Sequence, residues 1–223
     1  FGSRLAFDEA GRLYITTGDR GQRDQAQRAD GHLGKVIRLT DDGRIPEDNP
    51  FLEEQGVQPG LYTLGHRNAQ GLARHPETGT VWLHEHGPRG GDEVNILHAG
   101  ANYGWPEATF GREYYGPQIG PDPPVDGFEP PIHHWTPSIA PSGMAFYTGD
   151  AFPEWQGDLF VGALAHEELV RLDLDGKAVT DEEVLLAERG DRIRDIRMGP
   201  DGALYVLVDS PNAPLLRLAP VND

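Results

Sequence analysis

Apolar and polar positions alternate along much of this chain with a period of two. In "GRLYITTGD", Leu13, Ile15 and Thr17 point one way while Arg12, Tyr14 and Thr16 point the other. That alternation predicts a strand. The surrounding phrase, "GSRLAFDEAGRLYITTGD" at 2 to 19, has counterparts at 69 to 87, 141 to 164 and 193 to 210. Each joins a short apolar strand, through a turn rich in Gly, Asp or Pro, to a second strand. Further partner strands follow in "GKVIRLTDDG" (34 to 43), "ELVRLDLDG" (168 to 176) and "PLLRLAP" (214 to 220). Helical periodicity is scarce, and the best stretch, "RDQAQRADGHLG", is broken by Gly31 and Gly34. Strand pairs repeated at long, uneven intervals predict an all-β fold, a β-propeller with loops of variable length. A β-sandwich is the structural alternative. About four units are visible and the first begins mid-strand. The expectation is a single propeller domain over 1–223 that carries roughly the C-terminal four blades, with earlier blades missing and edge strands exposed.

Composition narrows the function classes. A 37% hydrophobic and 25% charged chain of 223 residues suits a globular protein with a real core. No apolar run approaches the roughly 18 residues of a membrane span. The chain begins at Phe1 without a signal peptide, as a processed or cut chain would. A net charge of -17 repels nucleic acid and anionic membranes and suits a holder of cations. With no cysteine, thiolate nucleophiles, disulfides and zinc–thiolate sites are excluded. There is no Gly-x-Ser-x-Gly elbow and no phosphate-binding glycine loop at a strand–helix junction.

Several phrases carry candidate chemistry: "TTGDRGQ", "GKVIRLTDDGRIPEDNPF", "GHRNAQGLA", "EHGPRGGDEVN", "GANYGWP", "APSGMAFY" and "RIRDIRMGPDGALYVLVD". Read alone, Asp19 is a turn residue, Arg67 a solvated loop residue, and Arg192 with Arg194 an exposed basic strand face. His84 and His86 alternate along a strand, as a transition-metal pair would. Taken in order over nearly the whole chain, however, the phrases resemble the soluble, PQQ-dependent aldose sugar dehydrogenases.

The resemblance implies a six-bladed β-propeller working in the periplasm or outside the cell, with PQQ over the central channel. It implies oxidation of the C1 hydroxyl of an aldose to a lactone, with hydride passing to PQQ and then electrons to an external acceptor. The catalytic histidine of such enzymes would fall just before Phe1. Asp19 matches the carboxylate that orients it. Arg67 matches the cation beside the quinone C5 oxygen, with Asn68 nearby. His86 would line the cofactor, which removes the histidine pair from consideration as metal ligands. The carbonyls of Gly87 and Pro88 would ligate the Ca²⁺ that anchors PQQ, while Glu93 and the backbone of Tyr103 match a second, structural calcium site. Asp92 has no assignment and Gln70 reads as structural. Ser138 matches a polar cofactor contact, with Trp135 as an aromatic wall or a core residue. Arg192 and Arg194 would meet the carboxylates of PQQ. One departure is Ala165, where the family usually places a lysine that grips the cofactor. Tyr114 and Tyr115 lie in the variable stretch 111 to 130 and either stack on sugar or pack. Two other readings stand: a calcium-dependent lactone hydrolase, and a catalytically silent binding propeller.

Overall fold

The computed structural model describes residues 2–220. Its described residues hold fifteen β-strands and three short 3-10 helices, with no α-helix. The strands form four antiparallel sheets. Two compact units divide the chain: Phe1–Arg74 with Gly79–Ser138, and His75–Thr78 with Ile139–Asp223.

The first unit holds two four-stranded meanders, each with strands adjacent in chain order. One comprises β1 (Leu5–Phe7), β2 (Leu13–Thr17), β3 (Lys35–Leu39) and β4 (Leu61–Leu64). The other comprises β5 (Ala69–Arg74), β6 (Val81–Glu85), β7 (Asp92–Ile96) and β8 (His133–Trp135). The sheets meet over a core of Tyr14, Val36, Tyr62, Leu72, Val81, Leu83 and Tyr103, among others. Each such side chain, once buried, contributes about 1.5–3 kcal/mol of transfer free energy. The second unit repeats the plan. It has a meander of β9 (Pro141–Phe146), β10 (Leu159–Ala163), β11 (Glu168–Asp175) and β12 (Ala178–Leu185). Beside it lie three strands, β13 (Ile193–Met198), β14 (Leu204–Val208) and β15 (Leu215–Leu218). Tyr147, Phe160, Leu169, Ile193, Ile196 and Val206 fill the core between these two sheets.

The alternation in β2 is present: Tyr14 and Thr16 are buried, while Leu13, Ile15 and Thr17 are half-buried. Tyr14 faces inward because its ring packs edge-on against Tyr62, with centroids 5.1 Å apart. The period of two disappears in β6, β7, β9 and β10, which are buried at every position. A strand covered on both faces needs no polar side. The "RDQAQ" stretch forms a 3-10 helix at Arg23–Gln27.

That short helix matters because it carries Arg23 toward the site described below. Lys35, fully buried at the start of β3, holds it in place. Its Nζ donates to the carbonyls of Gln25 (2.8 Å), Ala26 (2.9 Å) and Leu33 (2.5 Å). Gln27 Nε2 then docks the helix on the carbonyl of Trp105 at 2.7 Å. Replacing Lys35 with Met keeps the stem and removes the donor to three carbonyls. Lys35→Met is expected to lower unfolding free energy by about 3 kcal/mol, measured by urea denaturation. A loss below about 1 kcal/mol would show that water replaces the ammonium without difficulty.

Candidate functional site

One cleft of the first unit gathers charged groups from distant parts of the chain. It encloses ≈ 120 Å³ and is lined by Asp19, Arg23, Arg67, Asn68, Pro88, Trp105, Glu113 and Tyr114, among others. Asp19 follows β2 and is 5% exposed. Its Oδ1 accepts from the Gly21 N–H at 2.9 Å, the turn bond its sequence suggests. Its Oδ2 accepts from Trp105 Nε1 at 2.9 Å, across 86 positions of chain. Arg67 lies in the β4–β5 connection, with its guanidinium 5.4 Å from the Trp105 ring centroid. Arg67 Nη1 donates to the carbonyls of His86 (2.9 Å) and Gly87 (2.8 Å). Among the described residues no other guanidinium nitrogen of Arg67 is hydrogen-bonded.

Glu85, the last residue of β6, sets the backbone of this connection. Its Oε2 accepts from the N–H of Arg67 at 2.5 Å and of Asn68 at 3.3 Å. Its Oε1 lies 2.8 Å from His66 Nδ1, and His66 Nε2 lies 2.8 Å from Thr63 Oγ1. These partners select the tautomer with the proton on Nδ1. His66 is fully buried and stacks on Tyr103 at 4.8 Å.

The stretch "HEHGPRGGDE" is the other wall. It leaves β6, turns, and re-enters the sheet as β7. Asp92 organises the turn: its Oδ1 accepts from the Gly87 N–H at 2.9 Å, and Ser138 Oγ donates to both of its oxygens at 2.9 and 2.7 Å. The Gly91 N–H donates to the Trp135 carbonyl at 2.8 Å. Position 87 accepts only glycine, because a Cβ there would collide with the carbonyls of Gly90 and Gly91.

Comparison with known proteins fixes the family. The Glucose/Sorbosone dehydrogenase family model matches residues 1–217. The chain belongs to the glucose/sorbosone dehydrogenase family. It is 49% identical to aldose sugar dehydrogenase YliI of Escherichia coli, over all of this chain and 60% of that protein. It is 31% identical to quinoprotein glucose dehydrogenase B of Acinetobacter calcoaceticus, over 93% of this chain and 58% of that protein. The PQQ-bound aldose sugar dehydrogenase of Streptomyces coelicolor superposes with a TM-score of 0.77 at 29% identity, over 98% of this chain and 61% of that one. The chain thus spans about 60% of the length of the relatives it matches.

Within this glucose/sorbosone dehydrogenase chain, Asp19, Arg67, Asn68 and Pro88 share the cleft. His86 and Gly87 join it through their carbonyls on Arg67. Ser138 is held by Asp92. In the second unit Arg192 and Arg194 do converge, on Asp209 Oδ2 at 3.4 and 2.8 Å, and they hold its carboxyl below the usual range. Ala165 is exposed in the turn after β10. Trp105, Glu85, His66, Arg23 and Glu113 were not singled out by the sequence, although Trp105 sits inside the quoted phrase "GANYGWP". Among the described residues no three His, Cys, Asp or Glu group together as a metal cluster.

Glu93 and Tyr103 line a small adjoining cavity of ≈ 10 Å³ with Glu85. Among the described residues the Glu93 side chain accepts one hydrogen bond, from Asn95 Nδ2 at 3.4 Å. Burial first, then Glu85 and Asp92, raise its pKa well above the usual carboxylate range. The metal-free folded chain therefore takes up a proton here at pH values where the unfolded chain does not. That contribution to stability is complete below the unfolded pKa of about 4.3 and is lost as pH rises through the folded value. In chelator, Glu93→Gln is expected to match the wild type near about pH 4 and to be increasingly more stable than it toward about pH 8. Urea unfolding across that range measures the gap. A gap independent of pH would contradict the assignment.

Proposed function

We propose that this chain is part of a PQQ- and calcium-dependent aldose dehydrogenase, a six-bladed propeller of the periplasm or cell exterior. It would oxidise the C1 hydroxyl of an aldose to the lactone and pass electrons to an external acceptor. One observation carries the reading. Arg67 is clamped by Nη1 to the carbonyls of the 86–87 turn, in the same cleft as Asp19. A guanidinium offers five donors in a fixed fork, so the clamp leaves donors for an anion. The four meander sheets support the propeller. So do the apolar side chains of Leu5 and Phe7, 66% and 55% exposed, which a neighbouring blade would cover. Among the described residues no helix is long and apolar enough to cross a membrane.

The residues present fit the groups the family implies. When bound, PQQ accepts hydride at its C5 carbon and calcium polarises the quinone. Arg67 would stabilise the charge that develops at the C5 oxygen. Asn68 would add a hydrogen bond nearby, His86 and Ser138 would line the cofactor, and Arg192 with Arg194 would bind its carboxylates. The carbonyls of Gly87 and Pro88 would hold the calcium, Gly87 through the lone pair that Arg67 leaves. Glu93 would hold a structural calcium with the Tyr103 backbone. The fully buried Asn95 Oδ1, which has no hydrogen-bond partner among the described residues, lies beside Glu93 and suits the same cation.

The proton of the sugar hydroxyl needs a base. Gly2 adopts φ +77°, and a Cβ on it would stand 2.6 Å from the Gly18 amide nitrogen. Its own N–H donates to Asn68 Oδ1 at 2.7 Å. The phrase that a catalytic histidine would precede thus lies against Gly18, the residue before Asp19, and against Asn68. Asp19 keeps lone pairs beyond its two bonds, so it would orient that base and stabilise its charged form. A lactone hydrolase needs several side-chain oxygens converging on one metal. In this cleft the carboxylates are instead tied to Trp105 and to Arg23.

The test is a PQQ titration of the calcium-loaded full-length protein, followed by aldose addition with dye reduction recorded. Binding followed by reduction is expected. Absence of PQQ binding would overturn the reading. Arg67→Lys keeps one charge and loses the planar fork, and is expected to lower kcat by about 10²-fold or more.

A further inference from the structure

The cleft contains an ion pair that the proposed chemistry does not use. Arg23, on the 3-10 helix, and Glu113, 90 positions later, face each other fork to fork, with Nη1–Oε1 at 2.6 Å and Nη2–Oε2 at 3.3 Å. Their side chains are 42% and 36% exposed, so both border solvent. The Arg23 guanidinium also lies 5.6 Å from the Trp105 ring, the ring that Arg67 approaches from its own position. Tyr114, next to Glu113, lines the same cleft and is 57% exposed. The cleft therefore holds two carboxylates, Asp19 and Glu113, and two guanidiniums, Arg23 and Arg67, with formal charges that cancel.

We infer that the Arg23–Glu113 pair recognises the sugar hydroxyls remote from the reacting carbon and restricts the site to uncharged aldoses. This rests on the dehydrogenase reading above. A planar carboxylate accepts from two neighbouring hydroxyls, as it accepts from a guanidinium, and Arg23 donates to hydroxyl or ring oxygens. Tyr114 offers an aromatic face to the C–H side of the ring. Because each ion neutralises the other, the pair presents strong hydrogen-bonding groups without net charge. A uronate would bring a negative charge beside Glu113 and Asp19. An amino sugar would bring a positive charge beside Arg23 and Arg67. Either is disfavoured, because a charge entering a cleft whose formal charges cancel meets both signs and gains no net attraction to offset its lost hydration.

Removing one member of the pair unbalances the cleft in a known direction. Glu113→Gln leaves an excess of one positive charge, and Arg23→Gln an excess of one negative. The experiment uses the full-length protein loaded with calcium and PQQ, with rates normalised to bound cofactor and folding checked by thermal melting. It measures kcat/KM for glucose, glucuronate and glucosamine. The wild type is expected to prefer glucose over both charged sugars. Glu113→Gln is expected to raise the glucuronate-to-glucose ratio at least tenfold, and Arg23→Gln to lower it while raising the glucosamine-to-glucose ratio. Opposite shifts from two substitutions at one contact separate charge recognition from a general loss of loop structure, which would move both ratios alike. Ratios unchanged within twofold in both variants overturn the inference and leave the dehydrogenase reading intact. A wild type that oxidises no aldose overturns that reading and the inference with it.

Discussion

The candidate site depends on one buried carboxylate. Glu85 takes hydrogen bonds from His66 Nδ1 and from the N–H groups of Arg67 and Asn68. It thereby ties the end of β6 to the β4–β5 connection. The next turn of chain closes the circuit, because the carbonyls of His86 and Gly87 accept from the Arg67 side chain. Arg67 is thus fixed at both its backbone and its tip by residues 85 to 87. Each donor would cost about 1–3 kcal/mol if it were buried without an acceptor, so the arrangement is all or nothing. Thr63 and Tyr103 extend the same logic outward by fixing the imidazole from its far nitrogen and from its face.

The sequence showed strands where one face is apolar and the chain turns sharply, as in β2, β3, β11 and β15. It did not show β12, where "AVTDEEVL" is mostly exposed and polar. There the strand exists because β11 offers a partner along its whole length, which no local pattern reports. At the candidate site, Asp19, Arg67, Asn68 and the 86–88 turn were singled out only through the family resemblance carried by their compact motifs, and the fold brings them to one cleft. Trp105 and Glu113 were not, since their partners Asp19 and Arg23 lie 86 and 90 positions away. Glu85 was hidden for another reason. A carboxylate that ends an apolar strand looks like a solvated strand end, and only burial identifies it as a hub.

Asp92 illustrates how a residue without an assignment becomes informative. It holds Gly87 by its N–H and Ser138 by its hydroxyl. Ser138 follows the strand that pairs with Asp92 itself, so the carboxylate closes the 87–91 turn on its own sheet. The glycines of "HEHGPRGGDE" then serve close backbone approach, and on the proposed reading carbonyls rather than side chains would be the donors to a cation. A loop with two histidines and three carboxylates thus contributes peptide oxygen to the cleft, which suits a hard cation over a transition metal.

Charge operates at two ranges in this molecule, and they oppose each other. The chain as a whole carries -17, a field that repels any anion approaching from solution. Within the cleft Asp19 and Glu113 are matched in number by Arg23 and Arg67, so the formal charges sum to zero. At a Debye length of about 8 Å in physiological salt, the distant surface charges are screened while contacts inside the cleft are not. A neutral sugar is indifferent to the outer field and reads only hydrogen-bond geometry. On the proposed reading, an anionic cofactor would have to be retained against that field by a few guanidiniums and a bound cation. Cofactor retention would then depend on locally held arginines, and sugar selection on keeping the rest of the cleft balanced. The same residue type would serve both ends.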